Sequence, residues 1–235
     1  MSEWAAKRFW KETSVAEAEG GFEVLLDGRR VKTPQKAALI VPTRAMAEAI
    51  RDEWQAQEEK IDPASMPTTR SANAALDKTT PQRAEVAEML AAYGDSDLLC
   101  YRAESPEELV ARQARIWDPL LDWAEAQHGA RLKPRTGVIH APQDARALAR
   151  LTEVVHGFDP FRLTAFHDLV ALSGSLVIGL AAAQGNHDLE ELWQASRLDE
   201  TWQEEQWGED EEAQAMAEVK RQAFHHADRF FRLCA

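Results

Sequence analysis

Several residues in this chain have types and spacings that could do chemistry. His167-Asp168 has the composition of a general-base pair, because a carboxylate beside an imidazole orients it and raises its basicity. Neighbours on a helix diverge by about 100°, however, so a boundary histidine is the plainer reading. Cys100 would be a nucleophile only as a thiolate, and Arg102 is the one cation near it in sequence, so a thiol packed as a small apolar group is expected. His225-His226 face different sides of a helix, and neither H-E-x-x-H nor C-x-x-C occurs, so no metal and no cofactor are expected. Gly174 to Gly179 is the closest approach to a phosphate loop, but Leu180-Ala181 stand where lysine and a hydroxyl residue are needed. There is no G-x-S-x-G elbow.

The strongest local signal is charge. Asp188 to Glu218 contains twelve carboxylates against Arg197 alone. Clustered carboxylates can serve hydrolysis by general acid and base, which would require a concave pocket holding carboxyls with displaced pKa values. The same segment also carries tryptophans: Leu189, Leu192, Ala195, Leu198 and Trp202 form one stripe of a helix, while Trp193, Arg197, Glu200, Glu204 and Trp207 follow one another on another face. Aromatics among charges are typical interface anchors. A protein-binding surface is favoured, because a monomer gains little from so much self-repelling charge.

These residues need elements to hold them. Phe22, Val24 and Leu26 alternate with Glu23 and Leu25, and Asp27-Gly28 turns the chain into Arg29 to Thr33, a hairpin signal. Phe9 to Val15 and Ala38 to Val41 can add strands, and Met46, Ile50 and Trp54 mark a helix able to cover one face of the sheet. Ile61 to Thr69, with Asp62-Pro63 and Met66-Pro67, is predicted as an extended connector. Everything after it has a helical period. Ser105-Pro106-Glu107-Glu108 starts a helix with a capping box and proline at its first position, interrupted at Asp118-Pro119 and closed near Gly129. Pro142 to His156 forms another, and one long helix is expected from Asp159-Pro160 to Ala183, closed by Gly185-Asn186. Along it, Ala171, Ser175, Gly179 and Ala183 make a small-residue ridge, read as close packing in a helical domain. Arg70, Asn73 and Asp77 share a helix face at i, i+3 and i+7, as a polar network that cements the structure or meets a partner. Trp54, Trp117 and Trp123 are expected in the core. The fold class is therefore α+β: a small antiparallel sheet domain with one covering helix over residues 1–77, then an all-α domain over 78–235.

Composition bounds the function. The chain has 235 residues, 40 acidic against 27 basic side chains and a net charge of −13, too acidic for gripping nucleic acid. With 45% hydrophobic residues it can bury a core. The longest apolar stretch, Leu169 to Ala183, is too short to span a bilayer and is broken by Ser173, Gly174 and Ser175, so no membrane insertion is expected. Two cysteines far apart point to a reducing compartment. Met1 to Trp10 carries Glu3 and no apolar run follows it, unlike a signal or transit peptide.

Read together, these residues resemble a known family, the assembly chaperones for the alpha subunit of the F-type ATP synthase catalytic head, found in mitochondria and alphaproteobacteria. The likeness runs through Lys7-Arg8-Phe9-Trp10, Leu26-Asp27-Gly28-Arg29, Lys32-Thr33-Pro34, Glu53-Trp54-Gln55-Ala56-Gln57 and Ile61-Asp62-Pro63. It continues through Met66-Pro67-Thr68-Thr69-Arg70 with Asn73 and Asp77, then Trp117-Asp118-Pro119, Ser173-Gly174-Ser175 and Gly179-Leu180-Ala181. It ends in Ser196-Arg197-Leu198-Asp199-Glu200, Gln203 and Trp207-Gly208. The resemblance implies a non-enzymatic chaperone that binds free alpha subunit and shields its beta-facing interface until the hexamer forms; the chain itself is expected to be a monomer. It also implies a bacterial cytoplasmic setting, with the mitochondrial matrix for eukaryotic relatives. A functionally important acidic position near the tryptophan-glycine motif has Asp199, Glu200, Glu205 and Glu211 as candidates here. With Gln203 and Trp207, and with Arg70, Asn73 and Asp77, these form the expected partner-binding set. A small-molecule hydrolase using the clustered carboxylates and a stable structural adaptor are the alternatives.

Overall fold

The computed structural model describes residues 7–235, so residues 1–6 of the stretch read for targeting lie outside the described residues. Contacts divide the described residues into two compact units, one of residues 7–83, 159–165 and 229–235 and the other of 84–158 and 166–228. The division is not a single cut at Asp77, because two later segments join the sheet-bearing unit.

In the first unit, β1 (Thr13–Ala18) and β2 (Gly21–Leu26) pair antiparallel with Val15 opposite Val24. β3 (Arg29–Arg30) and β4 (Ile40–Val41) both pair antiparallel with β2. The hairpin forms where Asp-Gly predicts it, with φ of 48° at Asp27 and 76° at Gly28, as a twist-matched two-residue turn requires. The Asp27 carboxylate also accepts from the backbone N–H groups of Glu12 and Lys11, which holds it below the usual carboxylate range. α1 (Arg44–Gln55) packs on β1 and β2. Thr43 caps it by accepting from the Met46 N–H at 3.1 Å, and Met46, Ala47 and Ile50 are its buried stripe.

The predicted extended connector is corrected. Pro63–Ser65 form a 3-10 turn, and α2 (Pro67–Ala74) starts at the second proline. Each proline occupies a first helical position, where its missing N–H is no loss. The Glu53 carboxylate receives the Thr68 and Thr69 N–H groups and the Thr69 hydroxyl at 2.6 to 2.7 Å, filling the orphan donors of the new helix. α2 then widens into a π-helical turn, Ala75–Thr79.

The second unit is helical apart from one short ladder. After α3 (Arg83–Ala91), β5 (Tyr101–Arg102) precedes α4 (Glu107–His128), and β6 (Arg135–Thr136) returns to pair parallel with β5. α5 (Ala145–His156), α6 (Pro160–Ser173), α7 (Leu176–Gln184), α8 (Leu189–Ser196), α9 (Leu198–Trp207) and α10 (Glu211–Arg232) complete the chain. An antiparallel sheet followed by helices is the α+β class expected from the sequence. Gly129 and Gly185 close α4 and α7 with left-handed φ of 64° and 77°, as predicted.

Several helix boundaries differ. α4 is not interrupted at Asp118-Pro119 but runs through it. Trp117, Leu121 and Ala124 hold both sides of the proline in the core, and the Trp117 indole N–H donates to the Ala195 carbonyl at 2.8 Å. Its start also departs from the expected capping box, since Pro106 is itself the cap residue and no side chain caps the helix. The long helix from Pro160 to Ala183 is two helices, parted at Gly174 with φ of 70°. The cause is Asp97, a fully buried carboxylate that accepts from the Ser175 hydroxyl at 2.7 Å, the Val177 N–H at 3.0 Å and the Leu99 N–H at 3.0 Å. With Ser175 capping through the Ile178 N–H, it makes a new helix start more favourable than continuation. The small-residue ridge is therefore broken between Ala171 and Ser175. Gly179 does pack closely, since a Cβ there would meet Val170 Cγ2 at 2.6 Å. Of the three expected core tryptophans, Trp117 is buried while Trp54 and Trp123 are half-buried.

Candidate functional site

The acidic segment is not one helix but an elbow. Arg197, with φ of −107° and ψ of 12°, separates α8 from α9, and the two predicted stripes no longer share an axis. Trp193 is buried against Phe224 with ring centroids 5.6 Å apart, so it is core rather than an anchor. Leu198 is buried and seats the start of α9.

From there each candidate side chain has a defined place. The Asp199 carboxylate accepts from Gln113 Nε2 at 2.7 Å, and the buried Gln113 in turn accepts from the Ala103 N–H at 2.9 Å. Glu200 pairs with Arg197 at 2.7 Å. Glu205 pairs with Arg112 of α4 at 2.8 Å, and the hydrogen bond from that guanidinium holds the Glu205 carboxyl below its usual range. Arg112 also covers the Trp202 ring, 4.8 Å from its centroid. Asp199, Gln203, Trp202 and Trp207 line one recess of about 400 Å³, completed by Ser105, Pro106 and Leu109. Trp207 is 80% exposed, a large apolar side chain in water at the helix end. Glu211 lies beyond Gly208 at the start of α10, exposed and with no ion pair among the described residues.

Arg70, Asn73 and Asp77 lie in the sheet-bearing unit and do not form the expected network. The π-helical turn begins between Asn73 and Asp77, so the seven-residue spacing no longer returns to one face. Asp77 instead receives the Gln35 N–H at 3.1 Å, Arg70 is exposed, and the Asn73 Oδ1 is buried without a partner.

Other sequence candidates resolve differently. His167 does bond Asp168, at 2.9 Å, and that bond raises the imidazole pKa; rotamers close the gap that helix geometry opens, on a half-exposed surface. Burial pushes the Cys100 thiol up to about 12, far from a thiolate at neutral pH. The His225 Nε2–H donates to the Glu190 carboxylate, 3.0 Å away, beside Arg221 at 3.1 Å. Among the described residues no group of three His, Cys, Asp or Glu side chains could hold a metal ion, and no helix is long and apolar enough to cross a membrane.

One feature escaped the sequence entirely. α4 and the α8–α9 elbow enclose a groove of about 680 Å³, with Ile116 and Leu120 on one wall and Leu192 and Leu198 on the other. Its walls come from stretches more than seventy residues apart in the chain, and no pattern within either stretch shows that they meet.

Comparison with known proteins finds relatives in both sequence and fold. Residues 7–125 match the model of the ATP12 chaperone protein family. The mitochondrial protein atp12 of Schizosaccharomyces pombe is 25% identical over 219 residues, 88% of this chain and 75% of the relative. The crystal structure of Atp12 from Paracoccus denitrificans is 50% identical with a TM-score of 0.96, over 99% of this chain and 100% of that one. A structure of an Asp-to-Lys mutant of the same protein matches equally well, at 50% identity and a TM-score of 0.96 over the whole of both chains. The Atu1473 protein of Agrobacterium tumefaciens is 44% identical with a TM-score of 0.90, over 96% of this chain and 84% of that one.

Proposed function

The chain belongs to the ATP12 chaperone family, and we propose that it is a non-enzymatic assembly chaperone of the F-type ATP synthase that binds the free alpha subunit. It shields the surface that later meets the beta subunit and departs when the hexamer forms. The observation that carries this reading is Trp207, 80% exposed at the end of an acidic helix and beside the recess that Asp199 and Gln203 line. An unassembled subunit exposes an apolar interface that would otherwise aggregate. A tryptophan supplies contact area at small entropic cost, and the surrounding carboxylates select cationic partners and raise the encounter rate. Asp199, Glu200 and Glu205 are held by neighbours and so present a preorganised field, while Glu211 is free to pair across the interface. Arg70, Asn73 and Asp77 form a second contact in the sheet-bearing unit, with the exposed Arg70 as the group that meets the client. We place the protein in the bacterial cytoplasm as a monomer.

The test is capture of purified alpha subunit by tagged Trp207→Ala and Glu211→Lys variants, each checked for an unchanged melting temperature. Loss of capture by folded protein supports the surface. Full capture by both would remove α9 and the start of α10 from the interface.

A further inference from the structure

The groove between α4 and the α8–α9 elbow has no role in the surface described above, yet it is the larger cavity. Its volume, about 680 Å³, lies in the range of built binding sites. Ile116, Pro119 and Leu120 form one wall, and Leu192, Ala195 and Leu198 the other. Both walls are helical, so the aliphatic side chains of a third helix can insert between their ridges.

The rim carries sign. Asp188 and Glu191 line the groove and are exposed, and among the described residues neither has an ion pair, although Asp188 Oδ1 accepts from the Glu191 N–H at 2.9 Å as the cap of α8. Arg112, the one Lys or Arg of the lining, is already bonded to Glu205. The open edge is therefore negative over apolar walls. An anion is repelled and a plain hydrocarbon leaves the Glu191 carboxylate and the second Asp188 oxygen without a cation, whereas an amphipathic segment with basic flanks satisfies both features. Arg112 also joins the groove to the Trp202 side of α9, which makes the two surfaces continuous.

We infer that this groove receives an amphipathic helix of the client, with aliphatic anchors between α4 and α8 and Lys or Arg against Asp188 and Glu191. The identity of the client rests on the chaperone reading, while the chemistry of the groove does not.

The probe is a fluorescent helical peptide of Leu and Lys, about 18 residues or five turns long, titrated with the full chain alongside a Leu/Glu peptide of the same pattern. The Lys peptide is expected to bind at least about tenfold tighter. Ile116→Asp is the discriminating variant, because it adds negative charge and spoils an apolar wall. Simple attraction between opposite charges would strengthen binding, whereas the groove predicts a weakening of about tenfold. Thr201→Trp, at an exposed lining position, narrows the groove without touching the core and should weaken binding as well. Equal binding of the two peptides, or undiminished binding by both variants, would overturn the inference. Capture of alpha subunit by the native chain is scored separately, so the groove and the chaperone reading fail independently.

Discussion

Asp97 fixes the start of α7. It is fully buried and gathers donors from Leu99, Ser175 and Val177, so Asp97→Ala leaves several buried groups unpaired and should cost about 2–4 kcal/mol in a urea titration. A loss below about 1 kcal/mol would show that α7 does not depend on it. Its titration has a definite sign. Burial pushes the carboxyl from 3.8 up to about 6, against hydrogen bonds that lower it. A folded pKa raised above the unfolded one contributes stability that is complete below about 3.8 and is lost as pH rises through about 6. The unfolding free energy of the native chain, measured relative to Asp97→Asn, is therefore predicted to shrink between about pH 4 and pH 6.5. A gap that widens over that range would contradict the assignment. Trp207 behaves in the opposite way, because an exposed side chain can be truncated at little cost. Trp207→Ala should stay within about 0.5 kcal/mol of the native stability while abolishing capture of the client.

At the scale of elements, the parts legible in the sequence are those decided locally. The Asp27-Gly28 hairpin and the glycine closures at Gly129 and Gly185 each depend on a few adjacent residues, and each forms. The misreadings share a different cause. Helical periodicity runs smoothly through Gly174, and what stops the helix is a carboxylate 78 residues before Ser175 in the chain. Pro119 looked like a stop, but burial of Trp117 and Leu121 carries α4 across it. The elbow at Arg197 moved Trp193 into the core and left Trp207 outside, which no single-helix projection could anticipate. Of the partner-binding set, the acidic helix and its tryptophan were visible as composition. The recess and the groove were not, because side chains from α4 build one side of each. Packing also predicts that Gly179→Ala destabilises the second unit by about 1–3 kcal/mol, since the added methyl would press on Val170 Cγ2 at 2.6 Å and Phe166 Cε2 at 3.2 Å. An unchanged melting temperature would mean that α6 and α7 can separate freely.

For the whole molecule the dominant property is charge, −13 overall, with the excess concentrated in the segment that carries the exposed tryptophan. A field of one sign speeds encounter with a cationic client surface and is screened over about 8–10 Å at physiological ionic strength. The association rate with alpha subunit should therefore fall as salt is raised, while the dissociation rate changes less, a split that stopped-flow fluorescence of a dye-labelled chain can resolve. A salt-independent association rate would show that the acidic surface does not face the client. Weak reliance on charge for final affinity leaves release feasible, which separates a chaperone from a permanent adaptor. The most direct measurement is co-expression of the tagged protein with ATP synthase alpha and beta subunits separately, followed by capture and a solubility assay without added nucleotide. Alpha subunit alone should be captured and kept soluble. Equal capture of both subunits, or of neither, would contradict the account.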